Sequence, residues 1–442
     1  MSESPKSWAL TSIADVTCPP ATVDWRTWGS PKFTYIDIGS VDGGAGRIVS
    51  PKEIVPEEAP SRARQIVHAG DTVFSTVRTY LRNIAYIDHQ YDGQIASTGF
   101  CVLRPVGVHP RYIFHYVRSS DFIRKITAQQ RGVSYPAVTD AQVKGMTIPI
   151  PPLAEQHRIV AAIEEQSSRL DAGMVAIDRV RHALRRMRVS LLHSAVTGRL
   201  VQADPMRWDI RSLPSLGKLD RGRSRHRPRN DASLYGGAYP FIQTGDVTTA
   251  DPWIDNYTQT YSDAGLAQSQ LWPKGTLCIT IAANIAKSGI LTFDACFPDS
   301  VVGFVALDGE VATRWVDLVI RSMQGRLERL APATAQKNIN LRVLRSLEIP
   351  FPSQFYQAEV LAEYDRRMSL IMAIEKTASQ VVQRSDALRS SLLVTAFSGN
   401  LVRQDLNDES ASVLLERIRI EREASNGHRL RINRNRGMKV TL

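Results

Sequence analysis

Apolar residues recur every seven positions along one stretch of this chain, at Ile163, Leu170, Ile177, Leu184 and Leu191, with Ile159, Met174, Val180 and Met187 thickening the stripe. A seven-residue period keeps one helix face against a partner helix, so the stretch reads as a coiled-coil seam. A second stretch follows three- and four-residue steps through Val360, Tyr364, Ile371, Ile374, Ala378, Val381, Leu388 and Leu392, with Arg367 and Ser385 as polar exceptions. Pro151, Pro152 and Pro352 suit helix starts, and Gly198 and Gly399 suit left-handed caps just past the ends. A helix from Leu153 to about Thr197 is roughly 65 Å long at 1.5 Å per residue, longer than a small domain is wide. Two such seams separated by a domain-sized segment predict an intramolecular antiparallel pair.

The two helices are copies. Ile148-Pro149-Ile150-Pro151 returns as Ile349-Pro350-Phe351-Pro352, and Ser190-Leu191-Leu192 as Ser391-Leu392-Leu393, at one constant offset of 201 residues. The duplication continues upstream more faintly. Trp8 to Ile13 matches Trp208 to Leu213, Tyr35 to Val41 matches Phe241 to Val247, Ala69 to Val73 matches Lys274 to Cys278, and Gly99 to Leu103 matches Gly303 to Leu307. Between these landmarks, short apolar runs such as Phe33 to Ile38, Thr72 to Val77, Ala85 to Ile87 and Phe100 to Leu103 are broken by Gly, Pro and Asp, as strands are. Pro110 to Lys125 and Trp315 to Leu330 are helix candidates. The fold class is therefore mixed α/β, with two pseudo-repeated α/β domains separated by two long helices that form an antiparallel coiled coil. The expected boundaries are 1–147, 148–201 (long helix), 202–348, 349–402 (long helix) and 403–442. In the last segment, Ser410 to Glu423 reads as a short charged helix and His428 to Lys439 as a basic, disordered tail.

Composition adds direction. The chain has 442 residues, is 43% hydrophobic and 22% charged, and so has ample material for two or three cores. A net charge of +11 points towards a polyanionic partner. Cys18, Cys101, Cys278 and Cys296 form no C-x-x-C pair, which disfavours a metal site and suits a reducing compartment. No apolar run reaches membrane-spanning length and the N-terminus lacks a signal-peptide core, so a cytoplasmic protein without membrane contact is expected.

Two divergent domains alternating with two near-identical helices resemble the specificity subunit of type I restriction–modification systems. The resemblance rests on Pro151-Pro152-Leu153-Ala154-Glu155-Gln156-His157-Arg158-Ile159-Val160, on the endings Leu191 to Gly198 and Leu392 to Gly399, and on Thr334 to Asn340. The second copy departs where Ser353-Gln354-Phe355-Tyr356-Gln357 replaces the proline-leucine-alanine-glutamate-glutamine run; only Gln357 matches. The resemblance implies two target-recognition domains, each reading one half of a split sequence in double-stranded DNA. It implies a helical spacer that docks methyltransferase subunits, two in number, with restriction/motor subunits as further partners. No cofactor is implied in this chain. S-adenosylmethionine belongs to the methyltransferase, and ATP and Mg2+ to the restriction partner.

Candidate DNA-binding residues lie in the divergent segments. Arg78, Tyr80, Arg82 and Asn83 put guanidinium forks, an aromatic ring and an amide on one loop, groups that pair with guanine, stack, or bind adenine. Asn284 and Lys287 occupy the corresponding place in the second domain, so half-sites of different sequence are expected. Lys218 to Arg229 reads as a loop with six basic residues against one Asp; Arg221, Arg223, Arg225, Arg227 and Arg229 would follow a phosphate backbone. Arg131 with Tyr135, and Gln336, Lys337 and Asn338, sit at matching places before the helices and suit contacts with DNA or the methyltransferase. For each loop the bland alternative is a solvated structural turn.

Catalysis in this chain is not expected. A methyltransferase needs a Pro-Pro-aromatic site and a glycine-rich cofactor turn, and Cys18-Pro19-Pro20-Ala21 and Gly43-Gly44-Ala45-Gly46 fail on residue type. There is no Gly-x-x-x-x-Gly-Lys-Ser/Thr loop, and metal ligands are not grouped. The rival reading is a coiled-coil adaptor that joins proteins and touches no nucleic acid. It would have no need of divergent domains with arginine-rich loops.

Overall fold

A computed structural model of the protein describes residues 5–24, 28–132, 134–201, 208–226, 228–282, 284–330 and 338–437. The chain divides into two units, Met1–Ala176 with Val381–Leu442, and Ile177–Gln380. Each unit holds one globular segment of the duplication and part of both long helices.

In unit 1 the strand Thr72–Ser75 is buried along its whole length and lies between Phe100–Pro105 and Ile84–Tyr86, all antiparallel, with Thr17–Cys18 at the edge beyond Phe100–Pro105. A second four-stranded sheet runs Lys52–Ile54, Phe33–Ile36, Ile95–Ser97, Ala63–Ile66, with the central pair parallel. Ala9–Ser12 pairs antiparallel with Thr147–Ile150, which staples the two ends of the segment together just before the long helix. The single helix expected over Pro110–Lys125 is two helices, Pro110–Val117 and Ser120–Thr127. Ser119 breaks them: its backbone is extended, and its hydroxyl accepts the Phe122 N–H at 3.3 Å as the cap of the second helix.

Unit 2 repeats the plan with one five-stranded sheet, in the order Gly217–Arg221, Val301–Ala306, Leu277–Thr280, Ser288–Leu291, Trp253–Ile254. Asp209–Ser212 pairs with Glu348–Phe351 as the corresponding staple. Gly217 has to be glycine, because a Cβ there would stand 2.2 Å from the Val305 carbonyl oxygen across the ladder. The helix Gly309–Leu330 is unbroken and starts before the expected Trp315.

The long helices are Leu153–Val196 and Gln354–Phe397, 44 residues each. Within unit 1, Ile159, Val160 and Ile163 share a core with Leu392, Leu393, Ala396 and Phe397, and Asp171 pairs with Arg389 at 2.5 Å. Within unit 2, Leu184, Leu191 and Ala195 share a core with Val360, Leu361 and Ile371, and Arg188 pairs with Glu375 at 2.6 Å. Early residues of one helix meet late residues of the other in both units, so the coiled coil is antiparallel. In the first helix Ile163, Leu184 and Leu191 are buried and Leu170 and Ile177 half-buried, whereas Val180 and Met187 face out. In the second, Ile371 and Ala378 are buried and Tyr364 and Leu392 half-buried. Leu388 is not in the seam, being 57% exposed, and Ile374 and Val381 are exposed with it. Ser385, read as an exception, is buried at 5% exposure, seven residues from both Ala378 and Leu392.

The charged helix and tail also differ from expectation. One helix runs Ala411–Gly437, past the expected end at Glu423 into the segment read as disordered. Its first turns join the unit 1 core through Ala411, Leu414 and Ile418. The four cysteines are free thiols; burial pushes that of Cys101 up to about 12. Among the described residues no helix is long and apolar enough to cross a membrane, and no His/Cys/Asp/Glu group could hold a metal ion.

Candidate DNA interface

Two loops leave the same place on the duplicated scaffold. In unit 1 the strand Thr72–Ser75 ends with Ser75 opposite Phe100, and the Thr76 N–H donates to the Gly99 carbonyl at 3.0 Å. In unit 2 Thr280 ends opposite Val301, and the Ile281 N–H donates to the Ser300 carbonyl at 3.0 Å. A strap crosses each loop root: Val138 N–H donates to Thr76 O, and Ile339 N–H to Ile281 O, both at 2.9 Å.

The unit 1 loop is held in a conformation its residue types do not prefer. Arg78 and Arg82 both have left-handed backbones, φ 48° and 54°, on either side of the turn Thr79–Leu81. Such a backbone costs an L-residue roughly 1–2 kcal/mol and persists where its surroundings over-determine it. Here the Thr79 hydroxyl bonds that of Thr127 at 2.8 Å, the Ser75 N–H donates to the Asn83 carbonyl at 3.0 Å, and the Arg78 N–H donates to the Pro136 carbonyl at 2.8 Å. The turn is thereby pinned through buried Thr79, with Tyr80 and Leu81 displayed. Tyr80 is 51% exposed and Tyr135, on the strap, 73%. The Arg78 guanidinium lies over the Tyr135 ring at 5.2 Å, so loop and strap present one surface. Arg131 sits at the base of the strap, exchanging two 3.0 Å backbone bonds with Ala137. Arg82 is exposed and reaches the Ser120 hydroxyl at 3.2 Å, while Asn83 is half-buried.

The unit 2 loop keeps the scaffold and changes the chemistry. Ala286 takes the left-handed backbone, φ 56°, and its N–H donates to Thr280 O at 2.8 Å. Asn284 is exposed, with its amide donating to the Thr248 hydroxyl at 3.2 Å; Lys287 is half-buried, its ammonium 3.3 Å from the Gln324 amide oxygen. Asn338 is exposed and bridges Ala282 across the loop root. Gln336 and Lys337 lie outside the described residues.

The basic segment is half strand, not all loop. Gly217–Arg221 pairs with Val301–Ala306, which buries Leu219 and half-buries Arg221. Arg221 is opposite Val302 and Thr280 opposite Val301, so the basic residues that follow leave the sheet at the end that carries the Asn284 loop. Arg223 and Arg225 are exposed on a fixed backbone: Arg223 N–H donates to Phe297 O at 3.0 Å, and Arg225 N–H to the Gln268 side chain at 2.5 Å. Arg229 is already paired, with Asp299 at 2.9 Å. Arg227 lies outside the described residues. No residue type announces the anchors Thr79, Thr127, Thr248 and Pro136. The only signal for the straps was their equal position before the two helices.

Repeated scaffolds carrying unlike loops find their match among known proteins. The family model of the type I restriction modification DNA specificity domain matches twice, over residues 5–172 and 205–380. The chain belongs to this specificity-domain family. The StySPI type I restriction enzyme specificity subunit of Salmonella potsdam is 24% identical over 459 residues, covering 96% of this chain and 97% of that one. Among solved structures, the HsdS subunit from Thermoanaerobacter tengcongensis is 28% identical with a TM-score of 0.61, over 90% of this chain and 98% of that one. A chain solved in work on complex assembly and conformational transition of the type I R-M system superposes with a TM-score of 0.80 at 28% identity, over 90% of this chain and 100% of that one. In specificity-domain terms each match takes in one globular segment and part of the long helix that follows it.

Proposed function

We propose that this chain is the DNA specificity subunit of a type I restriction–modification complex in the cytoplasm. Each globular segment reads one half of a split target, and the coiled coil spaces the two and docks methyltransferase subunits, two per chain. The observation that carries this reading is the pair of unlike loops, 76–83 and 281–287, rooted at the same strand end of a duplicated scaffold. Shared roots give both halves one way of approaching a duplex, and unlike tips give them different sequences to read. Arg223 and Arg225 supply phosphate contacts, which position without specifying. Two readers on a stiff spacer meet one face of DNA together when their half-sites lie about one turn apart, roughly 34–36 Å. The chain itself is non-catalytic. Methyl transfer with S-adenosylmethionine belongs to the methyltransferase, and ATP- and Mg2+-dependent cleavage to a restriction subunit.

The decisive experiment is to co-express the chain with its methyltransferase and map methylated adenines across the host DNA. A two-part motif with a fixed unread gap is expected. A continuous motif, or binding to DNA that does not weaken with salt, refutes the reading and leaves a protein adaptor in its place.

A further inference from the structure

The two globular segments are copies, yet among the described residues the C-terminal helix lies on the flank of unit 1 and none matches it on unit 2. Ala411, Leu414 and Ile418 of the C-terminal helix share a core with Ile13, Val16 and Val108, and Val106 packs against it. Arg422 extends the contact by donating to the carbonyls of Ala14 and Asp15 at 2.6 and 2.5 Å, and Asp408, just before the helix, pairs with Arg158 at 2.5 Å.

The matching floor in unit 2 can be located residue by residue. Val106 N–H donates to Val16 O at 2.9 Å and Leu307 N–H to Leu216 O at 3.0 Å, so Leu307 stands where Val106 does. The Gln156 amide donates to Pro151 O at 2.9 Å and the Gln357 amide to Pro352 O at 2.8 Å, so Tyr356 stands where Glu155 does. Here the floor is uncovered among the described residues: Leu307 is 76% exposed and Phe355 73%, with the Phe355 and Tyr356 rings edge-to-face at 5.6 Å. Glu155, by contrast, is buried and accepts the Trp8 indole N–H at 3.0 Å. The acceptor that takes the His109 N–H on Gln156, at 2.8 Å, is on Gln357 a buried oxygen with no donor among the described residues. Beside Leu307 a cleft of about 610 Å3 opens between Trp253, Val305, Gly309 and Glu310. In unit 1 the position of Val305 is Arg104, whose guanidinium is bound to Asp71 at 2.8 Å and to Ile66 O at 3.0 Å.

We infer that this flank of unit 2 is a second helix seat, and that its occupant is an amphipathic helix of the methyltransferase partner. The occupant presents aliphatic residues at three- and four-residue steps, as Ala411, Leu414 and Ile418 do, with a cation one turn beyond, as Arg422 is. The cation follows from the rim, where Asp255, Asp308, Glu310 and Glu359 are exposed against Lys274 on the cleft lining. The same acidic rim repels DNA phosphate. A second copy of this chain is the poorer fit, since its helix of this pattern is already seated on its own unit 1. The inference rests on the reading that the chain assembles with a methyltransferase.

The test uses the full chain and its methyltransferase. With p-benzoylphenylalanine replacing Phe355, irradiation is expected to cross-link a methyltransferase peptide of the stated pattern. Leu307→Asp together with Phe355→Asp is expected to weaken methyltransferase binding at least tenfold, while Val413→Asp, on the outer face of the C-terminal helix, leaves it unchanged. Cross-linking to DNA or to a second copy of the chain, no cross-link, or unaltered affinity in the double variant overturns the seat. If the unsubstituted chain fails to bind the methyltransferase at all, the reading under Proposed function falls as well.

Discussion

Arg78 carries a full side chain on a left-handed backbone, and its half-buried guanidinium lies over the Tyr135 ring and donates to the Ser134 carbonyl at 3.5 Å. If it reads a base, Arg78→Ala relaxes one position of one half-site, costing about 1–3 kcal/mol of discrimination, and leaves the other half-site as it was. Methylation mapping of the variant shows this directly. Arg223→Ala, on the exposed basic segment, is expected instead to weaken binding to all sequences alike and to lower the salt slope by about 1. The histidines of unit 1 give a second residue-level expectation. Burial pushes the pKa of both His109 and His115 down; His157 and Arg111 add to this at His109, and Arg118 and Arg111 at His115, against the opposing Glu164 carboxylate. Harder to protonate in the fold than when unfolded, they contribute stability that is fully present above the unfolded value of 6.5 and is lost progressively as pH falls below it. The urea midpoint is expected to be lower at pH 5.5 than at pH 7.5, with a flatter dependence in His115→Gln. An equal slope in that variant would remove His115 as a cause.

At the scale of the element, the second long helix shows how a mixed three-four spacing is resolved. Its apolar positions form two overlapping stripes, and only one can face the partner helix. Packing selects Tyr364, Ile371, Ala378 and Leu392, so Ser385 is drawn in and Leu388 is left out. The Ser385 hydroxyl is buried with no hydrogen-bond partner among the described residues. Removing it takes away an unsatisfied polar group, so Ser385→Ala is expected to stabilise the protein by about 1 kcal/mol. Leu184→Ala opens a cavity in the seam and should cost about 2–5 kcal/mol. Leu388→Ala should stay within about 0.5 kcal/mol of the unsubstituted chain. Denaturant midpoints of the three variants separate this seam from the alternative stripe, for which the last result would be large.

For the molecule as a whole, the proposed role makes the coiled coil a measure of the unread gap in the target. Inserting one heptad between Glu165 and Arg188, matched by one in the second long helix, preserves the seam and lengthens the spacer by about 10.5 Å. At roughly 3.4 Å per base pair the gap should grow by about three base pairs, with both half-sites unchanged. Mapped methylation sites with the original gap would show that the helices do not set it.

What could be read from the chain alone was what repeats or is local. A constant offset of 201 residues established the duplication, and seven-residue spacing established the long helices, because both are properties of neighbouring covalent positions. The same spacing could not say which stripe turns inward, since that depends on the facing helix nearly two hundred residues away. Nor could composition show that Ser119 ends a helix, or that the segment after Glu423 stays helical. The candidate site was legible as two loops and two straps, but not as surfaces. Arg78 meets Tyr135 only because Pro136 and Ala137 are carried back across the loop root, a pairing over some 60 residues that tertiary structure alone decides. Likewise the C-terminal helix found its seat on unit 1, the segment farthest from it in sequence, because Ala411, Leu414 and Ile418 complete a core that Ile13 and Val16 begin.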